Sequence, residues 1–199
     1  MKYKSLHKRM HLFAPKFVGE KTMGQVMYWA RKIFKNENAQ INRLIDRDNI
    51  ALSAYTVGGF FHQMKQYGES DIELYIVFNE NDKDMLFPIC QNGAKLIIDE
   101  LFKTYVHEKR HRYQFRKRGK ASARRYKCPI SDLKLKEEME YYGDSDELDA
   151  YAQEAVIEMR TMGYSNAMEK YKELFDKHDK KVYNRFLKKY YKFEDKISL

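Results

Sequence analysis

The stretch that most limits what this chain can become is a helical repeat from about Ala94 to Arg118 with two distinct stripes. Leu96, Ile97, Leu101 and Tyr105 form an apolar stripe, while Glu100, Thr104, His107 and His111 line a polar one. Within that repeat, His107-Glu108-Lys109-Arg110-His111 reads H-E-x-x-H. One turn separates the two imidazoles, so both leave the same face and can share a metal ion, with Glu108 beside the vacant coordination position. A second pair at the same spacing, His7 and His11, lacks the Glu and falls in an N-terminal segment without pattern. Spacing alone therefore carries little.

The flanking sequence predicts the elements around this helix. Thr22 caps a first helix whose apolar positions are Val26, Trp29, Ile33 and Phe34, then Ile41, Leu44 and Ile45, with Asn36 to Asn38 as a bend or break. From Ile50 to Pro88 the period changes to two. Ile72, Leu74, Ile76 and Phe78 alternate with Glu73, Tyr75 and Val77, and Ile50 to Val57, Gly59 to Gln66 and Met85 to Ile89 add further strands. Gly119 ends the long helix, and a short helix over Ser131 to Tyr141 interrupts the connection that follows. A new helix starts near Asp144 to Asp146 and turns Leu148, Ala152, Ala155, Val156 and Met159 inward; amphipathic segments over Asn166 to Lys177 and Lys180 to Tyr191 close the chain. The expected fold class is α+β: a leading helix, a small three- to four-stranded sheet, the H-E-x-x-H helix, a Glu-bearing helix and C-terminal helices. It is expected as one domain over 1–199, with a core of about 20–160 and a C-terminal helical extension over 161–199.

Composition narrows the function classes. A chain that is 43% hydrophobic, with 16 Tyr and 12 Phe, has the means to bury a core. Cys90 and Cys128, the only two cysteines, exclude a disulfide framework and a Cys-rich metal site, and are expected to stay reduced. No apolar run has the length of a signal peptide or membrane span, so a cytoplasmic location and no membrane partner are expected. The net charge of +9 is concentrated: ten Lys or Arg and no acid lie between Lys109 and Ser131, and without them 28 basic residues face 29 acidic ones, a balance of −1. Arg112, Arg116, Lys117, Arg118, Lys120, Arg124, Arg125 and Lys127, interleaved with Tyr113, Phe115 and Tyr126, suit a nucleic-acid backbone or an acidic protein. A solvated insertion is the plainer alternative.

Two imidazoles do not complete a catalytic zinc site, which takes three protein ligands. Here the chain resembles the gluzincin metallopeptidases, in which H-E-x-x-H is followed on a later helix by E-x-x-A, its Glu the third ligand. Glu147-Leu148-Asp149-Ala150 matches, 36 residues beyond His111. The chain is most similar to small metallopeptidase-like proteins encoded by bacteriophages, over roughly residues 20 to 160, which implies the host cytoplasm as its location. The resemblance implies a zinc cofactor held by His107, His111 and Glu147, a compact zincin-like fold, and a protein or peptide substrate. Two departures stand out. Tyr151 follows E-x-x-A where Asp is common, and Lys109, Arg110 and Arg112 occupy positions that are usually uncharged. Support of a zinc-bound His then falls to Tyr151, Asp149 or Glu100. On the residues alone, Asp144-x-x-Glu147 also reads as a capping box, and Glu154 is a reserve ligand.

If the resemblance holds, Glu108 is the general base of peptide hydrolysis, and Tyr141, Tyr142, Tyr151 and His178 are chemically able to donate to the oxyanion. The rival reading is a nucleic-acid-binding protein that works through residues 109–127 with an incidental or inactive H-E-x-x-H. A third is a structural protein whose C-terminal helices pack on a partner.

Overall fold

A computed structural model describes residues 2–45, 55–61, 71–78, 84–118, 127, 133–176 and 179–197. It is a mixed α+β structure, mostly helical, with little sheet. Its contacts form two compact units, Lys2–Glu108 and Lys109–Leu199, and the division falls inside one continuous helix.

The first unit runs α1 (Lys2–His11), α2 (Ala14–Phe17), β1 (Gly19–Thr22), α3 (Met23–Phe34), β2 (Ala39–Ile45), β3 (Tyr55–Phe61), β4 (Ile72–Phe78), β5 (Leu86–Ile89) and the start of α4 (Gln91–Arg118). The N-terminal segment is thus helical where no pattern was expected, and it buries Leu6 and Met10. α3 starts where Thr22 predicts: its hydroxyl accepts from the Gln25 amide at 3.3 Å while the Gln25 side chain accepts from the Thr22 amide at 3.0 Å. Val26, Ile33 and Phe34 are buried, but the helix ends at Phe34 rather than continuing to Ile45. Asn38 takes a left-handed φ of 52°, a conformation Asn tolerates, and the chain leaves as strand β2.

The sheet has the order β2-β4-β3. β4 lies in its centre, parallel to β2 (Ala39 opposite Ile72) and antiparallel to β3 (Tyr55 opposite Phe78), with Ile72, Leu74, Ile76 and Phe78 all buried as their alternation predicts. β3 passes without interruption through Gly58 and Gly59, so the two strands expected there are one; Ile50 to Ala54 and His62 to Gln66 lie outside the described residues. β5 does not extend this sheet. It pairs antiparallel with β1, from Gly19 opposite Ile89 to Thr22 opposite Leu86. On α4, Ile97, Leu101 and Tyr105 are buried together with Ile98, Phe102 and Val106, whereas Leu96 is exposed.

The second unit contains the rest of α4, then α5 (Leu133–Gly143), α6 (Ser145–Ile157), a π-helical turn over Glu158–Met162, α7 (Ala167–Asp176) and α8 (Lys180–Ile197). Asp144 caps α6 by accepting from the Asp146 amide at 2.8 Å. Leu148, Ala152, Ala155 and Val156 of α6 form the core with Tyr171 and Phe175 of α7 and Val182, Phe186 and Tyr190 of α8. Met159, expected inside α6, lies partly buried in the π-helical turn. The C-terminal helices thus supply much of this core. Among the described residues no helix is long and apolar enough to cross a membrane.

Candidate metal centre

α6 is fastened to the end of α4 by polar contacts inside the second unit. Arg110 donates to Asp149 through Nε at 2.6 Å, Arg118 pairs with Asp146, and the Gln114 amide donates to the Asp146 carbonyl at 3.0 Å and to Asp149 Oδ2 at 3.1 Å. Arg110 is one of the cations that depart from the gluzincin pattern, and its charge is matched inside the unit by Asp149. Ala150 is fully buried. These contacts place Glu147 beside His111, with Oε1 at 3.3 Å from Nε2. His107 precedes His111 by one turn of the same unbroken helix, so its place beside that pair follows from α4 itself. Asp144 caps α6 by accepting from the Asp146 amide, while Glu147 faces His111.

Gln114 decides which nitrogen of His111 carries a proton. Its amide nitrogen is committed to Asp149 Oδ2 and the Asp146 carbonyl, both of which only accept, so its amide oxygen faces His111 Nδ1 at 3.0 Å. An oxygen there requires Nδ1 to be the donor. In a neutral ring the Nε2 lone pair then points at the Glu147 carboxylate, and two electron-rich atoms at 3.3 Å need a cation or a proton between them. The donor set, two imidazoles and a carboxylate, suits zinc. Gln114 is the residue that sequence reasoning missed. Its signal was its position three residues after His111, on the same face of α4.

The supports expected for a zinc-bound His resolve differently. Asp149 acts one step removed, through Gln114. Burial raises its carboxyl pKa, but Lys189 and Arg110, with hydrogen bonds from Arg110 and Gln114, outweigh it and hold the group below its ordinary value. Glu100 is half exposed and pairs with Lys103 at 2.6 Å. Tyr151 packs among Tyr142, Tyr171 and Phe175. Burial, with Tyr141, Glu154, Tyr142 and Glu147 nearby, pushes its phenol far above the ordinary range, so it keeps its proton. Glu154 is absent from the ligand group and accepts from the Tyr171 hydroxyl at 2.9 Å. His178 lies outside the described residues.

Glu108 and His107 are both buried, at 7% exposure. In the first unit β3 closes on this turn of α4 at Gly59. A Cβ built there would meet Thr104 Cγ2 at 2.6 Å and Glu108 Cγ at 3.1 Å, so only glycine admits the approach.

The basic segment is divided. Arg112 and Arg116 lie on α4, Lys127 is exposed, and Lys120, Arg124 and Arg125 fall outside the described residues. Arg110, Lys117 and Arg118 line a cavity of about 430 Å³ with Lys189, Lys192 and Lys196 of α8, beside Asp146, Asp149, Tyr113 and Phe193. The α8 lysines were not anticipated, because they lie some 70 positions downstream of the basic run, an interval that helical spacing does not read across.

No protein-family model, curated protein or solved structure matches this chain.

Proposed function

We propose that the chain is a zinc-dependent peptidase of the gluzincin type, with His107, His111 and Glu147 as ligands and Glu108 as general base. The observation that carries this reading is the orientation of Gln114, whose amide oxygen faces His111 Nδ1 while His111 Nε2 lies 3.3 Å from Glu147 Oε1. When bound, zinc supplies a Lewis acid that polarises a scissile carbonyl and acidifies water. Glu108, one residue after a ligand and itself buried, accepts the proton of the attacking water and passes it to the leaving amine, which requires hydrogen-bond reach to the water but no bond to the metal. β3 supports the choice of a peptide substrate. β3 is last in the order β2-β4-β3 among the described residues, and an extended peptide added to it as a strand would lie beside Glu108.

Glu108→Gln is expected to keep zinc and to slow hydrolysis of an unstructured peptide by roughly 10²- to 10⁴-fold. His111→Ala and Glu147→Ala should each remove one equivalent of zinc. Hydrolysis at the unaltered rate in Glu108→Gln, or full zinc retention in Glu147→Ala, overturns the reading.

A second reading rests on the lysine- and arginine-lined cavity. It takes that surface as a binding site for nucleic acid and the histidine pair as incidental. Nucleic-acid affinity that falls steeply with salt, in a protein that binds no zinc, would favour it.

A further inference from the structure

The pair His7 and His11, which sequence spacing gave no meaning, meets a third group in the fold. α1 places both rings on one face, and Asp99 of α4 reaches them within the same unit: Oδ1 lies 2.7 Å from Nε2 of His7 and 2.7 Å from Nε2 of His11, and the two nitrogens are 2.9 Å apart. Leu6 and Met10, both buried, hold α1 in this position, and Asp99 is 6% exposed.

With Asp99 ionised, no placement of protons suits this triangle. If both nitrogens donate to Oδ1, their hydrogens are driven to within about 2 Å of each other, inside van der Waals contact. If one nitrogen instead accepts from the other, its lone pair is shared with that donor while it still faces, at 2.7 Å, a carboxylate that can only accept. A cation removes the conflict, because all three atoms can then act as lone-pair donors to it. An ion about 2 Å from each would sit roughly 1 Å out of their plane.

We infer that His7, His11 and Asp99 form a second divalent-cation site, one that fastens α1 to α4. Two imidazoles and one carboxylate select a zinc-class transition metal over calcium or magnesium, which prefer all-oxygen sites. The His11 side chain is 26% exposed, which leaves room for water as the fourth ligand. A helix of ten residues has little stability alone, so a metal clip from two of its residues to a buried carboxylate gives it a fixed end. Asp99 and His107 are eight positions apart on α4, roughly 12 Å along its axis, so the two sites are separate.

Metal content of the full chain tests this. The unaltered protein is expected to hold two equivalents of zinc, His107→Ala one, His7→Ala/His11→Ala one, and the combination none. One equivalent in the unaltered protein that disappears in His107→Ala overturns the second site and leaves the peptidase reading standing. One equivalent that survives in His107→Ala but is lost from His7→Ala/His11→Ala has the opposite meaning. To guard against misfolding of the N-terminal variants, zinc should slow amide exchange over residues 2–11 at least tenfold in His107→Ala, and not in His107→Ala carrying Asp99→Asn. Equal exchange with and without zinc in His107→Ala overturns the clip.

Discussion

Replacing Gln114 by Leu removes the side chain whose oxygen faces His111 Nδ1 while keeping its volume. Gln114 is 8% exposed and makes three hydrogen bonds, to His111 Nδ1 at 3.0 Å, the Asp146 carbonyl at 3.0 Å and Asp149 Oδ2 at 3.1 Å. Each such bond contributes on the order of 1 kcal/mol to stability. Asp149 keeps Arg110 and Lys189, so its charge stays compensated and the fold should survive with a loss of about 1–3 kcal/mol. Zinc is affected for a different reason. Without an acceptor opposite Nδ1, His111 is free to carry its proton on Nε2, the nitrogen turned to Glu147, and to rotate away. Loss of such an orienting partner costs metal affinity roughly 10- to 100-fold, or about 1.4–2.7 kcal/mol.

Competition against a chromophoric chelator at fixed pH gives the apparent zinc affinity directly. Because a second zinc equivalent is expected at His7, His11 and Asp99, the comparison belongs in a His7→Ala/His11→Ala background. Zinc affinity in Gln114→Leu within threefold of the parent, in a variant whose unfolding transition shows it to be folded, would refute the tautomer argument.

Three further outcomes follow from particular contacts. Asp149→Asn should lower stability at neutral pH, and the gap should close on acidification: the folded carboxyl lies below its ordinary value of 3.8, so its contribution is complete above that value and is lost as pH falls through the lower folded one; a gap that stays constant from pH 7 to below 3 contradicts this. Gly59→Ala forces a methyl against Thr104 and Glu108 and should cost about 1–3 kcal/mol, with peptide hydrolysis reduced and zinc content unchanged; an unaltered melting temperature would remove the steric claim. Phe186→Ala empties the centre of a ring cluster with Tyr171 at 5.3 Å and Phe175 at 4.9 Å, so chemical denaturation should show about 3–5 kcal/mol lost.

The parts of the fold that were legible are those whose signal is local. The Thr22 cap, the alternation of β4 and the apolar stripe of α4 are each local signals, and each element formed where its pattern stands. β2 was misread because Ile41, Leu44 and Ile45 are spaced by three and one, which a helix also satisfies; in the strand only Ile41 is buried, while Leu44 is exposed, so no alternation marked it. β1 and β5 are four residues each, too short for a period, and their pairing joins positions about 70 apart. The same limit governs the candidate sites. His107, His111 and Glu147 belong to short motifs, but the partner of His7 and His11 is a lone Asp99 with no motif around it.

The cations after the histidine pair look like a single feature in sequence and are two in the structure. Arg110 and Arg118 turn to Asp149 and Asp146, the carboxylates flanking Glu147 on α6, and Lys189 reaches Asp149 from α8 at 3.2 Å. Their charge holds the Glu-bearing helix against α4, which is why a helix carrying candidate ligands can tolerate arginines where an uncharged residue would be expected. Arg110 also lies 4.8 Å from the Tyr113 ring and 4.7 Å from that of Phe193, so its guanidinium is sandwiched as well as paired. Excess positive charge on that cavity therefore rests with Lys117, Lys192 and Lys196, two of which come from the far end of the chain. Any anionic partner drawn to this surface would be held by those lysines, while Arg110 and Arg118 remain paired with the carboxylates beside Glu147.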